Sequence, residues 1–140
     1  KSLAGGLPIG AVMFGVKTQA VLAAGDHAAT FGANPAVCAG AEYVLSRLNE
    51  TLLAEIREKG DYIGRQLETM PHVERVDGMG LMLGAELSGA KAVDVVREGI
   101  QAGVLALTAK HKLRLLPPLT ISRAEIDEGL ALIEKALKAV

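Results

Sequence analysis

Tryptophan is absent, and aromatic residues make up only 3% of the 140 positions. A core without large rings must be filled by Ala, Val, Leu and Ile, which suits helices packed on a sheet. The 50% hydrophobic content and a mean hydropathy of +0.31 supply enough of them. Neither sign of charge is in excess: 15 basic side chains face 16 acidic ones, a net charge of -1. With no basic stripe and no aromatic interleaving, a nucleic-acid surface is excluded, and long-range steering toward a polyanion with it. One cysteine, Cys38, leaves no intrachain disulfide to form and fits a reducing cytoplasm. Long hydrophobic runs are also lacking. The apolar opening stretch is broken by Gly5, Gly6, Pro8, Gly10 and Gly15 and stopped by Lys17, which excludes a membrane span and argues against a signal peptide. Mixed charges on the helical segments argue against a membrane-surface helix.

What is present reads in order as follows. Ser2 to Gly10 is a loop, Ala11 to Val16 a short buried strand, and Thr18 to Ala24 a short helix ending at Gly25. Asp26 to Asn34 is a second polar loop. Asn34-Pro35 predicts a helix start, with Asn as cap and Pro at the first helical position. Val37, Ala41, Val44, Leu45 and Leu48 follow at helical spacing. Asn49-Glu50-Thr51 predicts a break with a new cap, and a second helix runs on to about Thr69, before Pro71. Beyond it come two strands, Val73 to Val76 and Leu81 to Leu87, joined as a hairpin by Gly78-Met79-Gly80. A helix over Lys91 to Gln101 presents Val93, Val96 and Ile100 on one face and stops at Gly103. Strands over Val104 to Thr108 and Leu113 to Leu116 precede a last helix, opened by the capping box Ser122-Arg123-Ala124-Glu125 and striped by Ile126, Leu130, Ile133 and Leu137. The fold class is α/β, with β-β-α-β-β-α order from Val73.

Three segments carry side chains with chemistry. Lys1 heads the glycine-rich run Lys1 to Ala11; a deprotonated lysine amine forms a Schiff base with an aldehyde, while the alternative is a solvated loop lysine. Asp26 to Pro35 sets the Thr30 hydroxyl and loop amides just before a helix N-terminus, which suits a phosphate or is a plain capped loop. Arg114 stands in an apolar strand before Pro117-Pro118. It either points to solvent at an edge or faces an anion, for which its planar fork is shaped. His27, His72 and His111 are read as structural or surface residues without partners.

The order of these segments resembles the class III aminotransferases, the fold-type I pyridoxal-phosphate enzymes that act on acetylornithine, ornithine or 4-aminobutyrate. Residues 1 to 11 resemble the family's Lys-Gly-Leu-Gly-Gly-Gly-x-Pro-Ile-Gly-Ala. Gly25 to Pro35 is similar to Gly-Asp-His-Gly-Ser/Thr-Thr-Phe-Gly-Gly-Asn-Pro. Gly78 to Gly84 is similar to Gly-x-Gly-Leu-Met-x-Gly, and Arg114 to Leu119 to Arg-x-x-Pro-Pro-Leu. The resemblance extends from Lys1 to the final helix, and Leu113 to Ser122 is most like the acetylornithine branch, of arginine biosynthesis.

The resemblance implies that Lys1 bonds pyridoxal 5'-phosphate and then shuttles a proton between substrate and cofactor. It implies that Thr30 binds the cofactor phosphate of the neighbouring subunit, so that the enzyme is a homodimer. Arg114 would grip a substrate carboxylate, most simply that of glutamate or 2-oxoglutarate. Ala29 stands where related enzymes carry a Ser or Thr that touches substrate, so only its backbone can do so. Ser2, Ala4 and Ala28 replace glycines, and Asp77 takes the place of a common arginine. The implied layout is the end of a large cofactor-binding domain over 1–34, connecting helices over 35–71 and a small domain over 72–140. A chain that opens on Lys1 is expected to be a C-terminal piece, inactive alone because the family places the pyridine-nitrogen acid, the ring-stacking aromatic and the main phosphate loop upstream.

Overall fold

A computed structural model describes all residues, 1–140, and divides into two compact units, Lys1–Leu52 and Leu53–Val140. In the first unit, α1 spans Pro35–Arg47. Asn34 caps it as expected: its side-chain oxygen accepts from the amides of Ala36 at 3.0 Å and Val37 at 3.4 Å. The opening loop lies along this helix at Gly40, where an added Cβ would fall 3.2 Å from Leu7 Cδ1 and 3.6 Å from Ala4 Cβ. Ala4 and Ala41 are the buried residues of this unit.

Two expected elements are not formed here. Ala11 to Val16 is irregular and exposed, with Met13 at 96% and Val16 at 87%. A strand needs a neighbour for its amides and carbonyls, and the first unit holds no second strand to pair with. Thr18 to Ala24 forms turns rather than a helix. The Thr18 hydroxyl and amide close on Gly15, and Asp26 accepts from the Ala23 amide at 2.7 Å, so local side-chain bonds replace a helix too short to repay its nucleation.

The second unit begins within α2 (Glu50–Leu67), which Asn49 caps by accepting from the Leu52 amide at 3.0 Å. Then come β1 (Val73–Met79), β2 (Met82–Leu87), α3 (Ala92–Ala102), β3 (Leu107–Ala109), β4 (Lys112–Leu115) and α4 (Arg123–Leu137). The strands form one antiparallel sheet in the order β1-β2-β4-β3. The turn of the first hairpin is Gly80-Leu81, not Gly78-Met79-Gly80. Gly80, at φ 55, takes the positive φ that a two-residue hairpin loop requires, and Gly78 stays in the strand. The second hairpin lies one to three residues from its expected bounds, because Ala109 and Lys112 close its ladder around Lys110-His111.

Leu83, Ala85, Leu113 and Leu115 form the covered face of the sheet. Ile56, Ile63 and Leu67 of α2 and Ile126, Leu130, Ile133 and Leu137 of α4 complete the core. On α3 the buried stripe is Ala92, Val95 and Gly99, whereas Val93 and Ile100 are more than half exposed. The expected stripe was about a third of a turn out of phase; Gly99 is inside where a Cβ would fall 3.3 Å from the Val104 carbonyl oxygen. Arg123 stacks its guanidinium 3.2 Å from the centre of the Tyr62 ring, and the Tyr62 hydroxyl donates to Asp127 at 2.7 Å, fixing α2 against the start of α4.

The capping box of α4 is complete. Glu125 accepts from the Ser122 amide at 2.8 Å and hydroxyl at 2.6 Å, and its own amide donates back to Ser122 Oγ at 3.3 Å. Those bonds from Ser122 hold the Glu125 carboxyl below its ordinary range. A depressed carboxyl stabilises the fold above its unfolded pKa and loses that contribution as pH falls through the folded value. Thermal melts of the parent and Glu125→Gln should therefore differ at neutral pH and converge as the pH drops below the normal glutamate range.

Candidate active site

Lys1 is exposed at the head of its loop, where Gly5 (φ 62) and Gly6 (φ 105) adopt conformations that side chains resist. Turns close the loop, the Gly5 amide donating to Ser2 at 3.1 Å and the Leu7 amide to Ala4 at 3.2 Å. Lys1 thus leaves a short folded segment whose one buried side chain, Ala4, anchors it.

Ala29 and Thr30 share an open cleft of about 570 Å³ with Pro8, Gly10 and His27. Lys1 does not line this cleft. The first amides of α1, those of Ala36 and Val37, are already taken by Asn34, which leaves the Thr30 hydroxyl and the loop amides as donors for an anion. Ala33 holds φ 55 at the loop's end, a conformation unusual for a residue with a Cβ.

Arg114 lies in the second unit on β4, an interior strand, so it is not an edge residue. It faces the side of the sheet opposite the helices, between Gly84 on β2 and Leu107 on β3. Its side chain is half-buried, and it makes no salt bridge within the chain. A guanidinium among exposed apolar neighbours such as Leu107 and Leu116 offers two parallel donors to a carboxylate.

The same sheet face carries a charge cluster that sequence spacing did not reveal. Arg75 donates to Asp77 at 3.1 Å and to Glu86 at 3.0 Å. Lys112 donates to Asp77 and lies 3.6 Å from Glu86. The hydrogen bond from Lys112, followed by the attraction of Arg75, holds Asp77 below the usual aspartate range, and Asp77 raises Lys112 in turn. Two histidines expected to lack partners have them: His72 Nδ1 lies 3.0 Å from the Ser88 carbonyl and His111 Nε2 3.5 Å from Glu86. Arg75 and Asp77 are two residues apart, but Arg75 meets Glu86 across 11 residues and Lys112 meets Asp77 across 35, and only the alternation of Arg75 with Asp77 and of Lys112 with Arg114 hinted that they share a face.

The family described as Aminotransferase class-III matches residues 1–137, and the chain belongs to that family. An acetylornithine aminotransferase of Haemophilus ducreyi is 45% identical over 138 residues, 98% of this chain and 35% of the relative. A mitochondrial acetylornithine aminotransferase of Saccharomyces cerevisiae is 35% identical across the whole chain and 34% of the relative. The chain thus spans about a third of the length of these relatives. Among solved structures, ornithine aminotransferase from Toxoplasma gondii superposes with a TM-score of 0.75 at 29% identity, covering 86% of this chain and 30% of that one. That structure is described as holding pyridoxal phosphate at partial occupancy in its active site. N-acetylornithine aminotransferase from Stenotrophomonas maltophilia gives a TM-score of 0.70 at 31% identity, over 77% of this chain and 32% of that one. The mixed α/β architecture, with four helices and a small antiparallel sheet, is therefore part of a pyridoxal-phosphate aminotransferase fold.

The residues present suit that cofactor: a primary amine on an exposed loop for its aldehyde, and a hydroxyl with loop amides on a cleft wall for its phosphate. No helix is long and apolar enough to cross a membrane.

Proposed function

We propose that the full-length polypeptide carrying this chain is a pyridoxal-phosphate-dependent aminotransferase that moves the amino group of N-acetylornithine to 2-oxoglutarate, a step of arginine biosynthesis, as a cytoplasmic homodimer. The observation that carries the reading is Lys1: an exposed amine on a positive-φ glycine loop, in a chain that matches the aminotransferase family over residues 1–137. Residues 1–34 would close the cofactor-binding domain, 35–71 connect it, and 72–140 form the small domain.

When bound, the cofactor supplies the aldehyde that accepts the amino group and the conjugated ring that spreads the charge of the deprotonated substrate. Lys1 would hold it covalently through its amine, and the same amine would serve as the base that moves the proton of the substrate Cα. Thr30 donates its hydroxyl to the phosphate of the neighbouring subunit's cofactor, a role that does not require Lys1 and Thr30 to share a cleft within one chain. Ala29 offers the substrate backbone groups alone. Arg114 grips a carboxylate of 2-oxoglutarate through two parallel hydrogen bonds.

Steady-state kinetics of the full-length enzyme tests the assignment of Arg114. Arg114→Lys keeps the charge but loses the fork, and KM for 2-oxoglutarate should rise about tenfold; Arg114→Ala should raise it on the order of 100-fold. Unchanged KM in both variants would sink the role. Similarity to the Toxoplasma gondii ornithine aminotransferase supports a second reading, in which ornithine is the donor. The ratio of kcat/KM for the two donors separates them, and a preference for N-acetylornithine is expected from the 45% identical relative.

A further inference from the structure

Asp77 is followed by glycine, and a glycine next in line leaves an aspartate open to attack by its own backbone. The Gly78 nitrogen adds to Asp77 Cγ and closes a five-membered imide. The carboxyl hydroxyl leaves as water, taking the amide proton. Water then adds to either imide carbonyl. Addition at the main-chain carbonyl breaks its bond to the Gly78 nitrogen, and the chain now runs through the former side chain as an isoaspartate. Water is the only co-reactant, and neither mass nor oxidation state changes overall.

The fold requires this glycine. A Cβ at Gly78 would fall 2.2 Å from the Met82 carbonyl oxygen and 2.9 Å from Leu83 Cα, so a side chain has no room there. The register also leaves the Gly78 amide outside the ladder. Met79 and Met82 close the two-residue loop as a bonded pair, Asp77 and Gly84 are the next bonded pair, and Gly78 with Leu83 is the unbonded pair between them. β1 is an edge strand, so a local opening need break only one ladder to free the backbone at Asp77.

The side chain of Asp77 is what opposes the reaction. Arg75 Nε lies 3.1 Å from one carboxyl oxygen and Arg75 Nη2 3.1 Å from the other, which also accepts from Lys112. The Lys112 bond first, then the charge of Arg75, holds the Asp77 carboxyl below its usual range. A carboxylate is a poor electrophile, whereas the protonated acid can lose water. Glu86, 3.6 Å from Lys112, and His111, 3.5 Å from Glu86, complete this face. Asp61, Arg65 and Glu68 of α2 line a cleft with Asp77 and Gly78.

We propose that Asp77-Gly78 is a latent isoaspartate site, kept closed by the ion pairs that Asp77 makes with Lys112 and Arg75. Conversion would insert a methylene between the two residues, and the strand beyond it would lose its alternation and its register with β2.

Isoaspartate is counted in the full-length, pyridoxal-phosphate-loaded enzyme by methyl transfer from S-adenosylmethionine with an isoaspartyl methyltransferase, and located by peptide mapping. Enzyme unfolded in urea should accumulate it at Asp77 on the order of tenfold faster than the folded parent. Lys112→Met should raise the folded rate about fivefold at neutral pH. Lys112→Arg keeps the cation and should stay within about twofold of the parent. The pH profile separates charge from mere loosening of the hairpin. Above the ordinary aspartate range the depressed carboxyl of the parent holds the smaller protonated fraction, by a constant ratio; as pH falls through that range both carboxyls protonate and the two rates should converge. Loosening alone would keep them apart at every pH. Asp77→Glu, whose ring closure needs six members, should leave no label at this position. Lys112→Gln takes the place of Lys112→Met where thermal melts show the latter to be poorly folded. A parent-like rate in Lys112→Met, an equal rise in Lys112→Arg, a ratio that does not close at low pH, or an unfolded chain no faster than the folded one would overturn the proposal.

Discussion

Replacing Lys1 by alanine in the full-length enzyme is expected to reduce transamination on the order of 1,000-fold or more, since both a nucleophile and a proton carrier are lost. The two losses are separable. Borohydride fixes an imine as a stable amine, so treatment of the parent should leave the cofactor attached to the peptide that contains Lys1. Lys1→Ala and Lys1→Arg should leave none, because neither offers a free amine. Added methylamine restores a mobile base but no tether, so partial recovery of turnover in Lys1→Ala without recovery of the fixed label is the expected pattern. A fixed label on another lysine, or turnover untouched in both variants, would remove Lys1 from the chemistry. Gly5 and Gly6 take positive φ and Ala4 is buried, so the amine starts from a set backbone path. Arginine could satisfy charge there but not covalent attachment.

The parts of this fold that sequence reading anticipated are those decided within a few residues. The capping box at Ser122 and the Ile126, Leu130, Ile133, Leu137 stripe are local patterns, and α4 follows both. Asn34-Pro35 starts α1 for the same reason. The failures have non-local causes. Ala11 to Val16 has the apolar content of a strand, yet no strand of its own unit lies beside it. The face of α3 was set by a choice between two apolar stripes. The smaller one, Ala92, Val95 and Gly99, is inside, and at Gly99 there is no room for more, since a Cβ there would fall 3.3 Å from the Val104 carbonyl oxygen. Two glycines flank Met79, and composition alone does not say which makes the turn. Gly78 pairs with Leu83 in the strand, where a Cβ would fall 2.2 Å from the Met82 carbonyl oxygen, whereas Gly80 takes the positive φ of the loop. At the site, Arg114 was visible as a charge in an apolar run. The charge cluster on the same face was not, since it depends on Lys112 meeting Asp77 across 35 residues of chain.

A single methyl group at Gly60 should have a large effect on stability, and its sign opposes helix propensity. In an exposed helix, glycine to alanine stabilises by about 1 kcal/mol. Gly60, however, is buried where α2 crosses the first hairpin: an added Cβ would fall 2.1 Å from the Gly80 carbonyl oxygen and 2.7 Å from its carbon. The atoms it meets are backbone and cannot rotate aside. Gly80 cannot retreat either, since its own φ of 55 sets the turn and its Cα side is closed by Ile56, whose Cγ2 would lie 2.8 Å from a Cβ. Gly60→Ala is therefore expected to destabilise by about 3 kcal/mol, the upper part of the range for overpacking, and to lower Tm by about 12 °C or more. Gly64 is the control, one turn further along α2. A Cβ there meets only Val76 Cγ1, at 4.0 Å, so Gly64→Ala should stabilise by about 0.5–1 kcal/mol. Urea unfolding of the two variants measures both signs in one helix. If Gly60→Ala proved neutral, α2 would not rest on Gly80 as described. The contact also bears on the site, because Gly80 joins β1 to β2 and its register sets Asp77 against Gly84 and Arg114. A variant that lifts α2 from the hairpin should thus weaken carboxylate binding as well as stability, while Gly64→Ala should leave binding as it is.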